Sequence, residues 1–214
     1  MTARRLPGRI LALTPGDRRD DSCVELVRRA RAAIEAGLDS ILLREPELSD
    51  SATLELAHEL RAALGPRGWL GIHDRVHLAR AAQADAVHVG FRSLRVADAR
   101  AILPETIAIG FSAHAHDDSG AWTGADYLVF GPVFATPSKA GVLDPIGVEG
   151  LARAAASTRV PMWALGGIDA SNVPAASRSG CEGVAVRAAL LGTPPSTCVS
   201  THFRALRSSI RPNN

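Results

Sequence analysis

The chain has 214 residues, 46% of them hydrophobic and 21% charged, which suits one domain with a sizeable buried core. Its net charge is +2, its basic residues are scattered and only 4% of it is aromatic, so a nucleic-acid partner is not expected. No apolar run approaches the ~18 residues that span a bilayer, and no membrane partner is expected either.

Strand-like apolar runs alternate with helix-like segments from one end to the other. Ile10 to Leu13 reads as a first strand, ended by Thr14-Pro15-Gly16-Asp17. Cys23 to Ala36 follows as a helix, with Val24, Val27, Ala30 and Ile34 at helical spacing and Gly37 as its stop. Ser40 to Leu43 is the second strand and Ala52 to Leu64 the second helix, capped by Ser49, Asp50 or Ser51. Trp69 to Ile72 is the third strand, and Val76 to Ala82 a short helix.

Ala86 to Val89 makes the fourth strand, with a helix over Val96 to Leu103 stopped by Pro104. Ile107 to Ile109 is the fifth, followed by a poorly patterned helix around Asp117 to Trp122. Tyr127 to Phe130 is the sixth, broken by Gly131-Pro132, with its helix at Val148 to Ala156. Met162 to Leu165 is the seventh, with a helix over Ser171 to Arg178 and Asp169 as its cap. Gly183 to Val186 is the eighth, and helical material closes the chain up to about Arg207.

Eight β-α units in this length predict a single (β/α)8 TIM barrel spanning residues 1–214. The Val, Ile and Leu content of the strands fits strands buried on both faces. The start, Met-Thr-Ala-Arg-Arg-Leu-Pro-Gly-Arg, lacks the apolar segment of a signal peptide. Cys23, Cys181 and Cys198 form no Cys-x-x-Cys pair, so neither a disulfide framework nor a zinc site is expected, and a cytoplasmic location fits.

In such a barrel the ligand lies at the carboxyl ends of the strands. The residues there are Arg44 after the second strand, His73-Asp74 after the third and Phe111-Ser112-Ala113-His114 after the fifth. Thr136, Ser138 and Lys139 follow the sixth, offering two hydroxyls and an ammonium. Gly166-Gly167 follows the seventh, and Val186-Arg187 ends the eighth. A Gly-Gly turn lets backbone N–H groups approach an anion closely, and the last two loops are the usual phosphate site of this barrel. His114 is the candidate acid-base group, since imidazole titrates near neutral pH.

These residues carry a resemblance. Leu43-Arg44-Glu45, Asp74-Arg75, Val87-His88-Val89, Phe111 to His114, Gly124 to Tyr127, Phe130 to Lys139, Gly166-Gly167-Ile168 and Gly183 to Val186 resemble thiamine phosphate synthase and its relative, the thiazole tautomerase TenI. The resemblance runs from about Leu11 to Leu191. It implies a barrel that binds a small phosphorylated thiazole, often as a homodimer, with phosphate at Gly166, Gly167, Val186 and Arg187. Arg44, His73, Asp74, Ser112, Thr136, Ser138 and Lys139 would contact the substrate, and His114 would move the proton.

Departures from the synthase pattern decide between the two activities. Leu42 and Pro46 replace its Gln and Lys after the second strand, His73 replaces an Asn, and Ser93 stands where a second Mg2+-binding aspartate would be. A lone carboxylate holds Mg2+ poorly. The expectation is therefore a tautomerase-like isomerase without metal or other cofactor, with Mg2+ required only on the synthase reading. A synthase with a degenerate metal site is the second reading, and a repurposed, non-catalytic phosphate-ligand protein the third.

Overall fold

The computed structural model describes residues 4–18, 23–139, 141–187, 189–192 and 199–210. Eight parallel strands close into a barrel in chain order, and β8 pairs with β1 through Ile10↔Val184, Leu11↔Ala185 and Ala12↔Val186. The strands are β1 (Ile10–Leu13), β2 (Ser40–Leu43), β3 (Trp69–His73), β4 (Ala86–Val89), β5 (Ala108–Ala113), β6 (Tyr127–Phe130), β7 (Met162–Leu165) and β8 (Gly183–Val186). Around them run α1 (Cys23–Glu35), α2 (Asp50–Leu64), α3 (Val96–Ile102), α4 (Gly147–Ala156), α5 (Val173–Ser177) and α6 (Val199–Ser209). Among the described residues no helix is long and apolar enough to cross a membrane. Cys23 and Cys181 are free, and Cys198 lies outside the described residues.

Period-two alternation sorts each strand into two faces. Ile10, Ala12, Ile41, Leu43, Leu70 and Ile72 face the helices and join one core. Leu11, Leu13, Leu42, Trp69, Tyr127, Val129 and Trp163 face inward and form the second. The same alternation sends His73, His88 and Ser112 into the lumen, with His73 opposite His88 and His88 opposite Gly110.

The end of the barrel at the strands' N-termini is filled by aromatic rings and sealed by the first residues of the chain. Trp69 and Trp163 both meet Tyr127 edge-on, at 5.9 and 5.8 Å between ring centres. Their indole N–H groups donate to the carbonyls of Arg5 (3.0 Å) and Gly8 (2.8 Å). Just before β4, Asp85 pairs with Arg5 and Arg61 and accepts from the Leu70 N–H. Asp126, just before β6, does the same for Arg4, Arg100 and Ile109.

Three expectations are corrected, and one choice among three is narrowed. β5 runs on through Phe111, Ser112 and Ala113, which pair with Leu128, Val129 and Phe130. Gly110 lies inside this strand: a Cβ there would stand 2.1 Å from Tyr127 Cζ and 2.5 Å from His88 Nδ1. The helices expected after β3 and β5 shrink to 3-10 turns, Val76–Leu78 and Ser119–Trp122, the second held by Asp118 accepting from the Gly120 N–H. α5 is shorter than expected and is not capped by Asp169, whose carboxylate accepts from Ser171 instead. At α2 the cap is Ser49, whose side chain accepts from the Ala52 N–H.

Candidate active site

A cavity of about 740 Å3 opens at the carboxyl ends of the strands. Arg44, His73, Ser112 and His114 line one side of it, and Thr136, Lys139, Gly166, Gly167, Val186 and Arg187 the other. The sequence-predicted residues thus converge, with two exceptions. Asp74 is exposed, takes φ 68 and does not line the cavity. It follows His73, the last residue of β3, and leaves the strand in the left-handed region. The Ser138 side chain lies outside the described part of the structure.

Arg44 is positioned from two sides. Its backbone N–H donates to Thr14 Oγ1 at 2.8 Å. The neighbouring Glu45, 4% exposed, accepts from the N–H groups of Gly16 and Arg18 at 2.9 Å each, which ties the loop after β1 to the end of β2. Burial, and then the positive charge of Arg187, hold the Arg44 pKa below its ordinary value. Two guanidiniums facing one space repel each other, and an anion between them relieves that repulsion. Lys139 and Arg92 add further cations to the lining of the same cavity.

The Gly166-Gly167 turn takes φ 108 and φ 60, a region side chains rarely adopt. Any Cβ on Gly167 would also stand 2.5 Å from the Ala135 carbonyl. The turn is braced by Asn172, whose Nδ2 donates to the Gly167 carbonyl at 2.8 Å. Close backbone approach is what the phosphate expectation requires. The five-residue α5 adds little dipole at this turn.

His114 leaves the end of β5 toward the cavity, one-fifth exposed. Asp117 Oδ2 accepts from the His114 backbone N–H at 2.5 Å and lies 3.1 Å from Nδ1. A carboxylate on Nδ1 fixes the proton there and leaves Nε2 as the working nitrogen. Phe91 lies over the imidazole, ring centres 5.8 Å apart and planes 28° apart, and also meets Phe111 edge-on. Sequence reasoning missed Asp117 as a partner; the i,i+3 spacing to His114 was its available signal. His116 is exposed and outside the cavity wall.

His73 and His88 are neutral groups. Burial, with Arg44 next and Asp74 opposing, pushes His73 down to about 4. His88 is driven well below its ordinary value by burial, then by His73 and Arg44. Neither carries an imidazolium proton to give up as an acid near pH 7.

The residues present do not fit a resident Mg2+. Among the described residues no three His, Cys, Asp or Glu side chains come together to hold a metal ion. Asp74 is exposed and does not line the cavity, and the Ser93 hydroxyl accepts from the Gly90 N–H at 2.9 Å. The one carboxylate on the wall among the described residues, Asp169, is taken up by Ser171.

Comparison with known proteins agrees on one family. The sequence profile described as thiamine monophosphate synthase matches residues 14–190. The thiamine-phosphate synthase of Chloroflexus aurantiacus is 37% identical over 180 residues, covering 83% of each chain. That of Albidiferax ferrireducens is 35% identical over 182 residues, covering 84% of this chain and 83% of its own. The solved thiamine phosphate pyrophosphorylase of Pyrococcus furiosus superposes with a TM-score of 0.80 at 28% identity, covering 94% of this chain and 95% of that one. These relatives carry the synthase's name rather than the tautomerase's.

Proposed function

Because the chain belongs to the thiamine monophosphate synthase family, we propose that it is a thiamine phosphate synthase, joining a thiazole phosphate to hydroxymethylpyrimidine pyrophosphate. The observation that carries this reading is the cationic wall: Arg44, Lys139 and Arg187 all face a cavity of about 740 Å3. In the reaction the bond between the pyrimidine methylene carbon and the pyrophosphate oxygen breaks, and its electron pair leaves with pyrophosphate. The same carbon bonds to the thiazole nitrogen. Negative charge grows on the departing group, and fixed cations aimed at it stabilise the transition state more than the ground state. The thiazole phosphate sits at Gly166-Gly167 and Arg187, and Arg44 and Lys139 meet the pyrophosphate. The family names of the relatives support this reading, which reverses the order expected from the sequence departures. A homodimer is part of the same proposal.

One observation favours a second reading, the TenI-like tautomerase. The Asp117-His114 pair on the cavity wall has the form of an acid-base group held in one tautomer. A proton shift within a thiazole carboxylate phosphate needs that and no metal. The test is one assay on the purified chain. Thiazole phosphate with pyrimidine pyrophosphate should yield thiamine phosphate when Mg2+ is supplied, and a parallel reaction without Mg2+ reads the dependence. Interconversion of thiazole tautomers without thiamine phosphate gives the second reading, and neither product leaves a phosphate-binding protein without this chemistry.

A further inference from the structure

Tyr127, His88 and Ser112 stand on the inner faces of three adjacent strands and touch in sequence. The Tyr127 hydroxyl lies 3.2 Å from His88 Nδ1, and His88 Nε2 lies 2.8 Å from Ser112 Oγ. Tyr127 is fully buried and His88 1% exposed, while Ser112 reaches the cavity wall. Room for the contact exists because position 110 carries no side chain between the two rings.

The polarity of this chain follows from counting protons. A neutral imidazole has one N–H and one acceptor nitrogen. If Nδ1 carried the proton, the Tyr127 O–H would be left without an acceptor among the described residues, deep in an apolar interior. A buried donor left unmade is costly. The arrangement that satisfies every group has Tyr127 donating to Nδ1 and the Nε2–H donating to Ser112 Oγ. The Ser112 proton then has only the cavity to point into. Burial keeps the imidazole neutral, so its two nitrogens hold these roles near pH 7.

We infer that Tyr127 and His88 are positioning residues that make the Ser112 hydroxyl a fixed donor into the cavity, and that the ligand atom it meets is an anionic oxygen. Ser112 Oγ keeps a second lone pair, but its one proton is what the chain leaves for the cavity, and Arg44, Lys139 and Arg187 around that cavity favour an anionic oxygen to receive it. The identity of the ligand rests on the function proposed above: a phosphoryl oxygen of pyrophosphate on the synthase reading, a carboxylate oxygen on the tautomerase reading. The polarity of the chain does not rest on it.

Two measurements on the full chain test the inference. In protein labelled with 15N-histidine, the nitrogen shifts of His88 should show the Nε2–H tautomer near pH 7; an Nδ1–H tautomer or an imidazolium overturns the proposal. The second is a binding cycle read by calorimetry with inorganic pyrophosphate and, separately, a thiazole carboxylate. Ser112→Ala should weaken the preferred anion roughly tenfold or more, as loss of a charge-assisted bond does. Tyr127→Phe, which touches no ligand, should weaken it several-fold in the native background and not at all in Ser112→Ala. Equal effects in both backgrounds, or no binding of either anion, overturn the inference. If the cycle holds but no thiamine phosphate is made, the function proposed above fails and the inference stands.

Discussion

Lowering the pH should unfold this barrel partly through one histidine. His73 is pushed down to about 4 in the fold, mainly by burial and then by Arg44. In the unfolded chain it returns to about 6.5. Above pH 6.5 both states are neutral and pH does not matter. As pH falls below 6.5 the unfolded state binds a proton that the folded state refuses, so stability drops until pH passes below about 4. The span between the two values corresponds to about 3 kcal/mol at 1.36 kcal/mol per unit, of which about 2.5 kcal/mol should already be lost at pH 4.5. Urea unfolding at pH 7.5 and pH 4.5, for the native chain and for His73→Asn, isolates this part. Paired carboxylates such as Asp169 also lose stability toward acid, but they do so in both proteins and cancel in the comparison. The variant should show the smaller loss by about 2.5 kcal/mol. Parallel losses, or an NMR titration of His73 near 6.5 in the folded protein, would refute the reasoning.

Gly110→Ala should destabilise by about 1–3 kcal/mol in denaturant unfolding, because the new methyl meets two ring systems that have nowhere to retreat; an unchanged midpoint would mean that the aromatic layer is looser than it looks. His114→Asn should lower turnover of thiazole tautomers by roughly 10²- to 10⁴-fold if the second reading holds, with Asp117→Asn smaller and His116→Ala near native; equal effects at His114 and His116 would remove the assigned role. Calorimetry should detect no tight Mg2+ binding to the free chain, since Asp74 stands off the wall and Ser93 bonds Gly90. Micromolar binding would contradict that, and would mean a carboxylate shell that the described side chains do not form.

Most of the barrel could be read from the sequence because its strands are short apolar runs between Gly, Pro and polar breaks. β1, β2, β4, β6, β7 and β8 begin and end where those signals stand. The expected β5 is too short for a physical reason: Gly110 is space for its register partners Tyr127 on β6 and His88 on β4, and that role cannot be seen from its neighbours in the chain. The rim residues were legible because chain order fixes which loop follows which strand. What was not legible was side-chain direction past a strand end. Asp74 is exposed at φ 68, and Asp117 curls back under His114. The tautomer logic of His88 was also beyond reach, since its two partners lie on other strands.

The aromatic floor has a consequence for how this protein can change. Trp69, Tyr127 and Trp163 interlock at one end of the barrel, and Arg4 and Arg5 lash the chain's beginning across that end. Leu42, Pro46, His73 and Ser93, where the chain departs from the synthase pattern, stand near or beyond the opposite ends of the strands, Leu42 lining the cavity from the last residues of β2. Residues that hold the molecule together and residues that choose its chemistry therefore occupy opposite ends of one cylinder. A substitution on the rim risks a reaction but little of the scaffold, whereas one in the floor risks the scaffold and leaves the chemistry's design untouched. Such a protein can trade one phosphorylated substrate for another by small steps, each taken from a folded starting point.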